Sequence, residues 1–293
     1  MTTLSVPGTS TANTQSRRER WEEEARFFDG VADHVQDSEL PIDLLAFERY
    51  SRPVLRSRFN KEFRFRLLRP LQGKTLLDVG CGDGLNAVMF AKMGARVTGL
   101  DISSGAIDVA RRRAAANGVS ENTTFICAPA ETADLAPDSF DIIWGDAILH
   151  HVLEDLEVVL KRLAYCAKGS GLLLFSEPVN LANALRVVRS MIPVHTEATP
   201  DERPLVKGEL DLLKRYVPNL RMKYYGLFGR LDQFILTRCN YERSSAGRRA
   251  IVNIIDLCDY ALLSLPLVNR LASVCVLYGQ PNKTFSAETR RPN

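Results

Sequence analysis

The chain has 293 residues, of which 45% are hydrophobic and 25% charged, close to the averages for soluble globular domains. This composition excludes collagen-like, intrinsically disordered and coiled-coil proteins, and the length allows a sizeable buried core. The 38 basic side chains barely outnumber the 35 acidic ones, so nucleic acid is not expected as the main partner. The six cysteines include no C-x-x-C pair, which disfavours a zinc cluster and favours a reducing, cytoplasmic location.

Composition divides the chain into four predicted parts. Residues 1–16 are small and polar, which predicts a disordered tail without the apolar core of a signal peptide. Residues 17–72 carry aromatic and aliphatic side chains at helical spacing, which predicts an N-terminal helical cap. The main domain is expected over residues 73–280, and a short tail over residues 281–293 follows it.

Two stretches bear on contact with membranes. The most apolar stretch, residues 260–279, is interrupted by Pro266 and Arg270 and does not predict a transmembrane helix. A basic run from Arg52 to Arg69 is interpreted as the solvated face of a cap helix, although it can also attract an acidic substrate or a lipid headgroup. Peripheral contact with a membrane therefore stays open.

From residue 74 onwards, apolar runs alternate with helical patterns. Strands are predicted at TLLDVG, RVTGLDI, NTTFICA, FDIIWGD and GLLLFSEP, and a helix is predicted at NLANALRVVRSMI. The strand runs lack polar alternation, as expected of parallel strands buried on both faces. With RMKYYGLF and LASVCVLYG as later strands, the sequence predicts an α/β fold, a doubly wound and mostly parallel seven-stranded sheet.

The clearest motif is LLDVGCGDG, in which a buried strand ends in a glycine loop that opens a helix. Glycines let the backbone approach a ligand closely, and the amides at the start of the helix favour an anionic group. The next strand ends in Asp101, where an acid can accept hydrogen bonds from ribose hydroxyls. The loop residues expected at the ligand are Gly80, Cys81, Gly82 and Gly84.

Two residues at the loop indicate which nucleoside binds. The dinucleotide fingerprint G-x-G-x-x-G requires glycine at position 85, where this chain has Leu85. Asp78, just before the loop, would repel a pyrophosphate but suits an ammonium group, or it braces the loop backbone. The pattern disfavours a nicotinamide-dependent dehydrogenase and favours a ligand that joins adenosine to an amino acid.

The glycine loop, GLDIS, FDIIWGDAILHHVLE and GLLLFSEP together resemble the class I S-adenosylmethionine-dependent methyltransferases over about residues 74–180. The resemblance implies S-adenosyl-L-methionine as co-substrate, held at its methionine end by the glycine loop and Asp78. It further implies that the donor is bound by Asp101 on the ribose, Ile102 on the adenine, Ala130 and Glu131 on the adenine edge, and Asp146 and Ala147 beside the methyl group. Pro129 replaces the acid usual in the adenine segment.

His150 and His151 follow the fourth strand, where the acceptor should meet the donor. An imidazole can take the proton of an acceptor hydroxyl as its oxygen attacks carbon, or it can cap or pack under the following helix. We expect only one of the two rings to face the pocket. Since the sequence places no carboxylate beside them, no metal site is predicted.

The predicted function is transfer of a methyl group to a small, apolar or lipid-like acceptor, with a hydroxyl favoured. N- or C-methylation and a non-catalytic module that binds S-adenosylmethionine stay open as alternatives. A helical insertion at about residues 243–269 is expected, by analogy, to line an apolar acceptor pocket, and contact with a membrane or burial in a dimer interface are its other readings. The oligomeric state is not predicted.

Overall fold

The structure, a computed structural model, describes residues 9–52, 59–182, 203–236 and 241–284. The helices are α1 Thr9–Ala32, α2 Leu44–Ser51, α3 Asn60–Leu67, α4 Leu85–Lys92, α5 Ser104–Ala116, α6 Leu156–Cys166, α7 Lys207–Tyr216, α8 Asp232–Ile235 and α9 Ala246–Leu262. The strands are β1 Thr75–Val79, β2 Arg96–Asp101, β3 Thr123–Cys127, β4 Phe140–Asp146, β5 Ala167–Pro178, β6 Arg221–Tyr225 and β7 Val274–Gly279. The helix predicted at NLANALRVVRSMI falls almost entirely outside the described residues.

The strands form one seven-stranded sheet in the order β3-β2-β1-β4-β5-β7-β6. Strands β1 to β5 pair in parallel, while β7 runs antiparallel to both β5 and β6. The sheet is therefore doubly wound and mostly parallel, which confirms the predicted fold class. Because parallel strands end at a common edge, the loops after β1, β2, β4 and β5 are brought together there.

Each central strand sends alternate side chains into two separate cores. Leu77, Ile143 and Leu173 pack on the face that α6 and α7 cover, whereas Leu76 and Leu174 pack on the face covered by α3 and α4. The period-two alternation is the ordinary consequence of the pleat. Burial on both faces explains why these strands read as unbroken apolar runs in the sequence.

The N-terminal cap is fixed to the sheet by an aromatic cluster. Phe65 of α3 is fully buried, with its ring centroid 5.6 Å from that of Trp144 and 5.1 Å from that of Phe90. Edge-on and tilted aromatic contacts of this kind stabilise the fold beyond the contribution of the buried apolar area. The predicted cap helix therefore docks on the strand that carries the candidate donor-site residues.

The first helix is longer than predicted. It begins at Thr9, so the disordered tail expected over residues 1–16 is wrong from Thr9 onwards. Composition misled here because small polar residues are weak helix formers, although Thr, Ser and Asn do not forbid a helix. Residues 1–8 and 285–293 of the two predicted tails lie outside the described residues. No described helix is both long and apolar enough to cross a bilayer.

Asp141 joins the starts of three strands. Its Oδ2 accepts hydrogen bonds from the backbone nitrogen and the hydroxyl of Thr75, both at 2.9 Å, and lies 3.0 Å from Nζ of Lys168. Burial opposes ionisation, but the hydrogen bonds from Thr75 and Lys168 outweigh it and lower the pKa of Asp141 to about 2. The ionised carboxylate therefore stabilises the native sheet.

We predict that Asp141→Asn lowers the free energy of unfolding by about 1–2 kcal/mol at neutral pH, because the bonds to Lys168 and Thr75 weaken. The native pKa lies below the unfolded value, so the native carboxylate stabilises the protein above the unfolded pKa. The difference between wild type and variant should then shrink as the pH falls from about 4 towards 2. Urea denaturation at several pH values measures it, and Asp134→Asn, at an exposed site, serves as control. A difference that does not change with pH would contradict this role.

Candidate active site

The glycine loop after β1 holds a backbone shape that other residues resist. Gly80, Gly82 and Gly84 have φ values of 66°, 51° and 77°, in the left-handed region. A Cβ atom on Gly80 would lie 2.7 Å from Cδ1 of Ile148, and one on Gly84 would lie 2.7 Å from Cβ of Ala110. Both conformation and close packing therefore require these two glycines.

Asp101 holds the glycine loop against the tip of β2. Its Oδ2 accepts a hydrogen bond of 2.8 Å from the amide of Gly82, and its Oδ1 accepts one of 2.9 Å from the amide of Ser103. Burial raises the pKa of Asp101 despite these bonds. The residue predicted to bind ribose is thus also the residue that positions the loop, a role that the sequence analysis missed.

Asp78 is fully buried beneath the loop. Burial, followed by the nearby carboxylates of Asp146 and Asp101, raises the pKa of Asp78 well above its ordinary value. Its Oδ2 has no hydrogen-bond partner among the described residues. An unsatisfied carboxylate oxygen in this position is costly unless a cation or a hydrogen-bond donor reaches it.

A cavity of about 450 Å³ opens at this edge of the sheet. Ten of the predicted site residues border it: Gly80, Gly82, Asp101, Ile102, Ala130, Glu131, Asp146, Ala147, His150 and His151. Asp78, Cys81 and Gly84 are not among the lining residues, although they shape the loop. Helix α1 closes the opposite side with Glu24, Phe28 and Val31.

His150 is oriented by an acid at the end of β5. Its Nδ1 lies 2.9 Å from Oε2 of Glu177, which has no exposed surface. The other carboxylate oxygen of Glu177 accepts hydrogen bonds from the amides of Ile148 and Leu149, at 3.0 and 2.9 Å. A carboxylate on Nδ1 favours the tautomer with its proton there, so that Nε2 carries the lone pair that accepts protons.

The environment of the two histidines differs from the prediction in two respects. Both residues line the cavity, although only one ring was expected to face it. Carboxylates also lie beside both rings, since Nδ1 of His151 is 3.3 Å from Oε1 of Glu24. The sequence placed no acid near the pair because Glu24 and Glu177 arrive from distant parts of the chain. Among the described residues, no group of three potential ligands is placed to hold a metal ion.

Known proteins are similar to this chain in its central part. Residues 77–175 match a family model described as a methyltransferase domain. Over 105 residues the chain is 38% identical to a ubiquinone biosynthesis O-methyltransferase of Sinorhizobium fredii, covering 36% of this chain and 41% of that one. It is 41% identical over 106 residues to an enzyme of the same name from Coxiella burnetii, covering 36% and 44%. The match thus spans less than half the length of these curated relatives.

A solved phosphoethanolamine N-methyltransferase of Haemonchus contortus shares the fold, with a TM-score of 0.54 at 16% identity, over 88% of this chain and 60% of that one. The sheet order, the glycine loop and the family match point the same way. Residues 77–175 therefore carry a methyltransferase domain of the class I, S-adenosylmethionine-dependent kind. This confirms the resemblance stated from the sequence.

Charged side chains tie the cap helix α1 to the segment predicted to border adenine. Glu131 is buried and accepts hydrogen bonds from Nε1 of Trp21 at 3.1 Å and from Arg20 at 3.3 Å. Arg20 and Arg17 also reach the carboxylate of Asp155, each at 2.6 Å. The side chain of Glu131 thus serves the docking of α1, in addition to any contact with adenine.

One member of the basic run of the cap, Arg64, reaches the candidate donor site. Arg64 is buried, lies 2.7 Å from Oδ1 of Asp146 and stacks over the ring of Trp144 at 4.7 Å. Interpreting the whole run as a solvated face is therefore wrong for Arg64, although Arg66 and Arg69 are exposed. Arg64 is buried because its position on α3 directs it, like Phe65, towards Trp144 of the sheet.

A second cavity, of about 960 Å³, separates the cap from the C-terminal insertion. Its walls include Val252, Asp256 and Asp259 of α9. Lys61 and Glu62 of α3 line it from the other side. The insertion therefore borders this cavity with a largely polar face. This differs from the apolar lining expected of residues 243–269. Most of the large apolar side chains of α9 are instead exposed at the surface.

We predict that Trp21→Phe loosens α1 by about 1–3 kcal/mol, because it removes the indole donor from the buried carboxylate of Glu131. Faster amide hydrogen exchange over residues 15–32 and a lower unfolding temperature should report the change. Gln15→Ala on the same helix removes only an exposed bond to Glu19 and serves as control. Exchange rates equal to the wild type would show that Trp21 does not hold the helix.

Proposed function

We propose that this protein transfers the methyl group of S-adenosyl-L-methionine to a hydroxyl of a small, apolar or lipid-like acceptor. The proposal depends on one observation, the single cavity that joins the glycine loop, Asp101 and the His150–Glu177 pair. The curated relatives are named as O-methyltransferases, which supports oxygen as the methylated atom. Transfer of the methyl group to nitrogen or carbon would contradict O-methylation but not methyl transfer itself.

The residues around the cavity suit a cationic donor. Asp78, Asp101 and Asp146 surround the glycine loop, and burial followed by repulsion from the other two carboxylates raises the pKa of Asp78. The unpartnered Oδ2 of Asp78 is a ready acceptor for an ammonium group. Gly80 leaves room where a Cβ would meet Ile148. When bound, S-adenosylmethionine supplies a methyl carbon that its positive sulfur makes electrophilic.

The side chains along the wall then have separate roles. Asp101 would bind the ribose hydroxyls, Ile102 would pack on adenine, and the segment with Ala130 and Glu131 would border its edge. Asp146, paired with Arg64, and Ala147 would flank the methyl group. Catalysis in such a site consists mainly of aligning the acceptor oxygen with the methyl carbon and excluding water.

His150 is the better candidate for the base. As the acceptor oxygen bonds to carbon, Nε2 of His150 would take its proton, and the carboxylate of Glu177 would stabilise the imidazolium. His151 instead lies between Glu24 and the ring of Phe28, whose centroid is 5.6 Å away, and so contacts the cap. His151 would therefore help to hold α1 over the cavity and would not take the proton.

We further propose that the protein works in a reducing compartment such as the cytoplasm. Cys81, Cys127, Cys166, Cys258 and Cys275 all carry free thiols. Burial raises the pKa of the Cys166 and Cys275 thiols to about 12, so these two are unreactive.

We predict that Asp78→Asn weakens binding of S-adenosylmethionine roughly tenfold to a hundredfold, because it removes the charged partner of the ammonium group. A raised pKa means that wild-type affinity falls as the pH drops and the carboxyl becomes neutral, whereas the variant should show a flatter pH dependence. Calorimetry at several pH values measures both effects. Asp108→Asn, at an exposed aspartate of α5, should bind as wild type.

If Asp78→Asn binds the donor as tightly as wild type at every pH, Asp78 braces the loop and does not contact the ligand. Calorimetry with NAD provides the contrast between ligand classes. Binding of NAD in preference to S-adenosylmethionine would overturn the donor assignment.

We predict that His150→Ala lowers kcat roughly a hundredfold while donor affinity stays unchanged, because general-base catalysis is lost. His151→Ala should lower kcat much less, and the exposed His34→Ala serves as control. The acceptor is first obtained by incubating the protein with methyl-labelled donor and a lysate fractionated by polarity, in which label should enter an apolar fraction as a methyl ether. An unchanged kcat in His150→Ala would remove the base role.

A further inference from the structure

Helix α9 presents its apolar face to solvent. The exposed residues recur at helical spacing along one side: Ala250, Ile251, Ile254, Leu257, Cys258, Ala261 and Leu262. Val252 and Asp259, on the other side, are buried, and Asp259 accepts hydrogen bonds from the amide of Phe228 at 3.0 and 3.2 Å. An ordinary surface helix of a globular protein has the opposite arrangement.

The neighbouring segments extend this apolar surface. Helix α8 and the turn before it pack against α9 and expose Phe228, Leu231 and Phe234, of which Phe234 is 74% exposed. The turn after α9 adds Leu265 and Leu267. We call this surface the α8–α9 patch: Phe228, Leu231, Phe234, Ile251, Ile254, Leu257, Leu262, Leu265 and Leu267. Nine exposed large apolar side chains on adjacent elements exceed what a soluble surface normally carries.

The exposed charged side chains in and around α9 are all basic, while Asp232 of α8 is only partly exposed. The charged residues that are exposed between positions 243 and 270 are Arg243, Arg248 and Arg270. The two acids of this stretch, Asp256 and Asp259, are half-buried and buried. An apolar surface with a cationic rim complements lipid acyl chains beneath anionic headgroups. A second copy of the chain would bring one cationic rim against another, which is unfavourable.

We propose that the α8–α9 patch docks on the surface of an anionic bilayer. The 17 residues of α9 would lie in the plane of the interface, with Ile251, Ile254 and Leu257 among the acyl chains. The rim arginines would bind the phosphates, with their aliphatic stems against the lipid. This inference goes beyond methyl transfer and does not depend on it.

Flotation of the full chain with lipid vesicles tests the proposal. We expect binding to phosphatidylcholine vesicles that contain about one third phosphatidylglycerol, weaker binding to pure phosphatidylcholine, and a decline with added salt. The double variant Ile254→Asp with Leu257→Asp should bind the anionic vesicles at least roughly tenfold more weakly.

Matched variants separate the apolar and the charged contributions. Val158→Asp changes a residue that is 43% exposed on α6, outside the α8–α9 patch, and should float as wild type. Arg248→Glu with Arg270→Glu should reduce binding to anionic vesicles and leave binding to phosphatidylcholine unchanged. Unchanged unfolding temperature and unchanged donor affinity in calorimetry show that each variant is folded.

Two results would overturn the proposal. One is flotation of the Ile254→Asp, Leu257→Asp variant that equals that of the wild type. The other is a wild type that does not float but forms a dimer in sedimentation analysis, which the double variant dissociates. The patch would then be an interface between two copies of the chain.

Discussion

Four acidic residues lie at the carboxyl ends of four adjacent parallel strands, and their charges must be balanced. Asp78, Asp101, Asp146 and Glu177 belong to β1, β2, β4 and β5. These strands lie side by side in the sheet in the order β2-β1-β4-β5. Backbone amides hold Asp101 and Glu177, and a buried arginine holds Asp146. Asp78 keeps an unsatisfied oxygen. The proposed cationic donor would complete the balance, so the same electrostatic constraint shapes both the fold and the site.

The N-terminal helices take part in this balance as well as in closing the cavity. Arg64 of α3 neutralises Asp146, and Arg17 and Arg20 of α1 neutralise Asp155. Burial of Phe65 and Trp144 beside the Arg64–Asp146 pair lowers the local dielectric constant, which strengthens that pair and raises the cost of breaking it. The cap therefore contributes residues to the candidate donor site.

The two ends of the molecule use apolar residues in opposite ways. Those of α3 enter the core between cap and sheet, whereas Ile251, Ile254 and Leu257 of α9 face solvent and leave a polar face towards the second cavity. A lipid-like acceptor and a surface that docks on lipid would suit one another, although each proposal stands on its own residues.

The sequence alone determined the fold class and the glycine loop, because both depend on local signals. Unbroken apolar runs specify strands buried on both faces, and the spacing of Gly80, Gly82 and Gly84 with Asp101 specifies a loop that parallel strands bring to one edge. Each strand and the glycine loop is specified by neighbouring residues, and Asp101 by its position at the end of the next strand, so these features can be predicted without any tertiary contact.

Only the tertiary structure decided which partners complete the site. Glu177 reaches His150 across 27 positions, Arg64 reaches Asp146 across 82, and Arg20 reaches Glu131 across 111. The local sequence does not indicate such pairs, because an acid or base near a strand end has the same local pattern whichever distant residue it contacts. Likewise α9 is amphipathic in sequence, but periodicity fixes only that one face is apolar. Whether that face turns inward depends on what the rest of the chain packs against it.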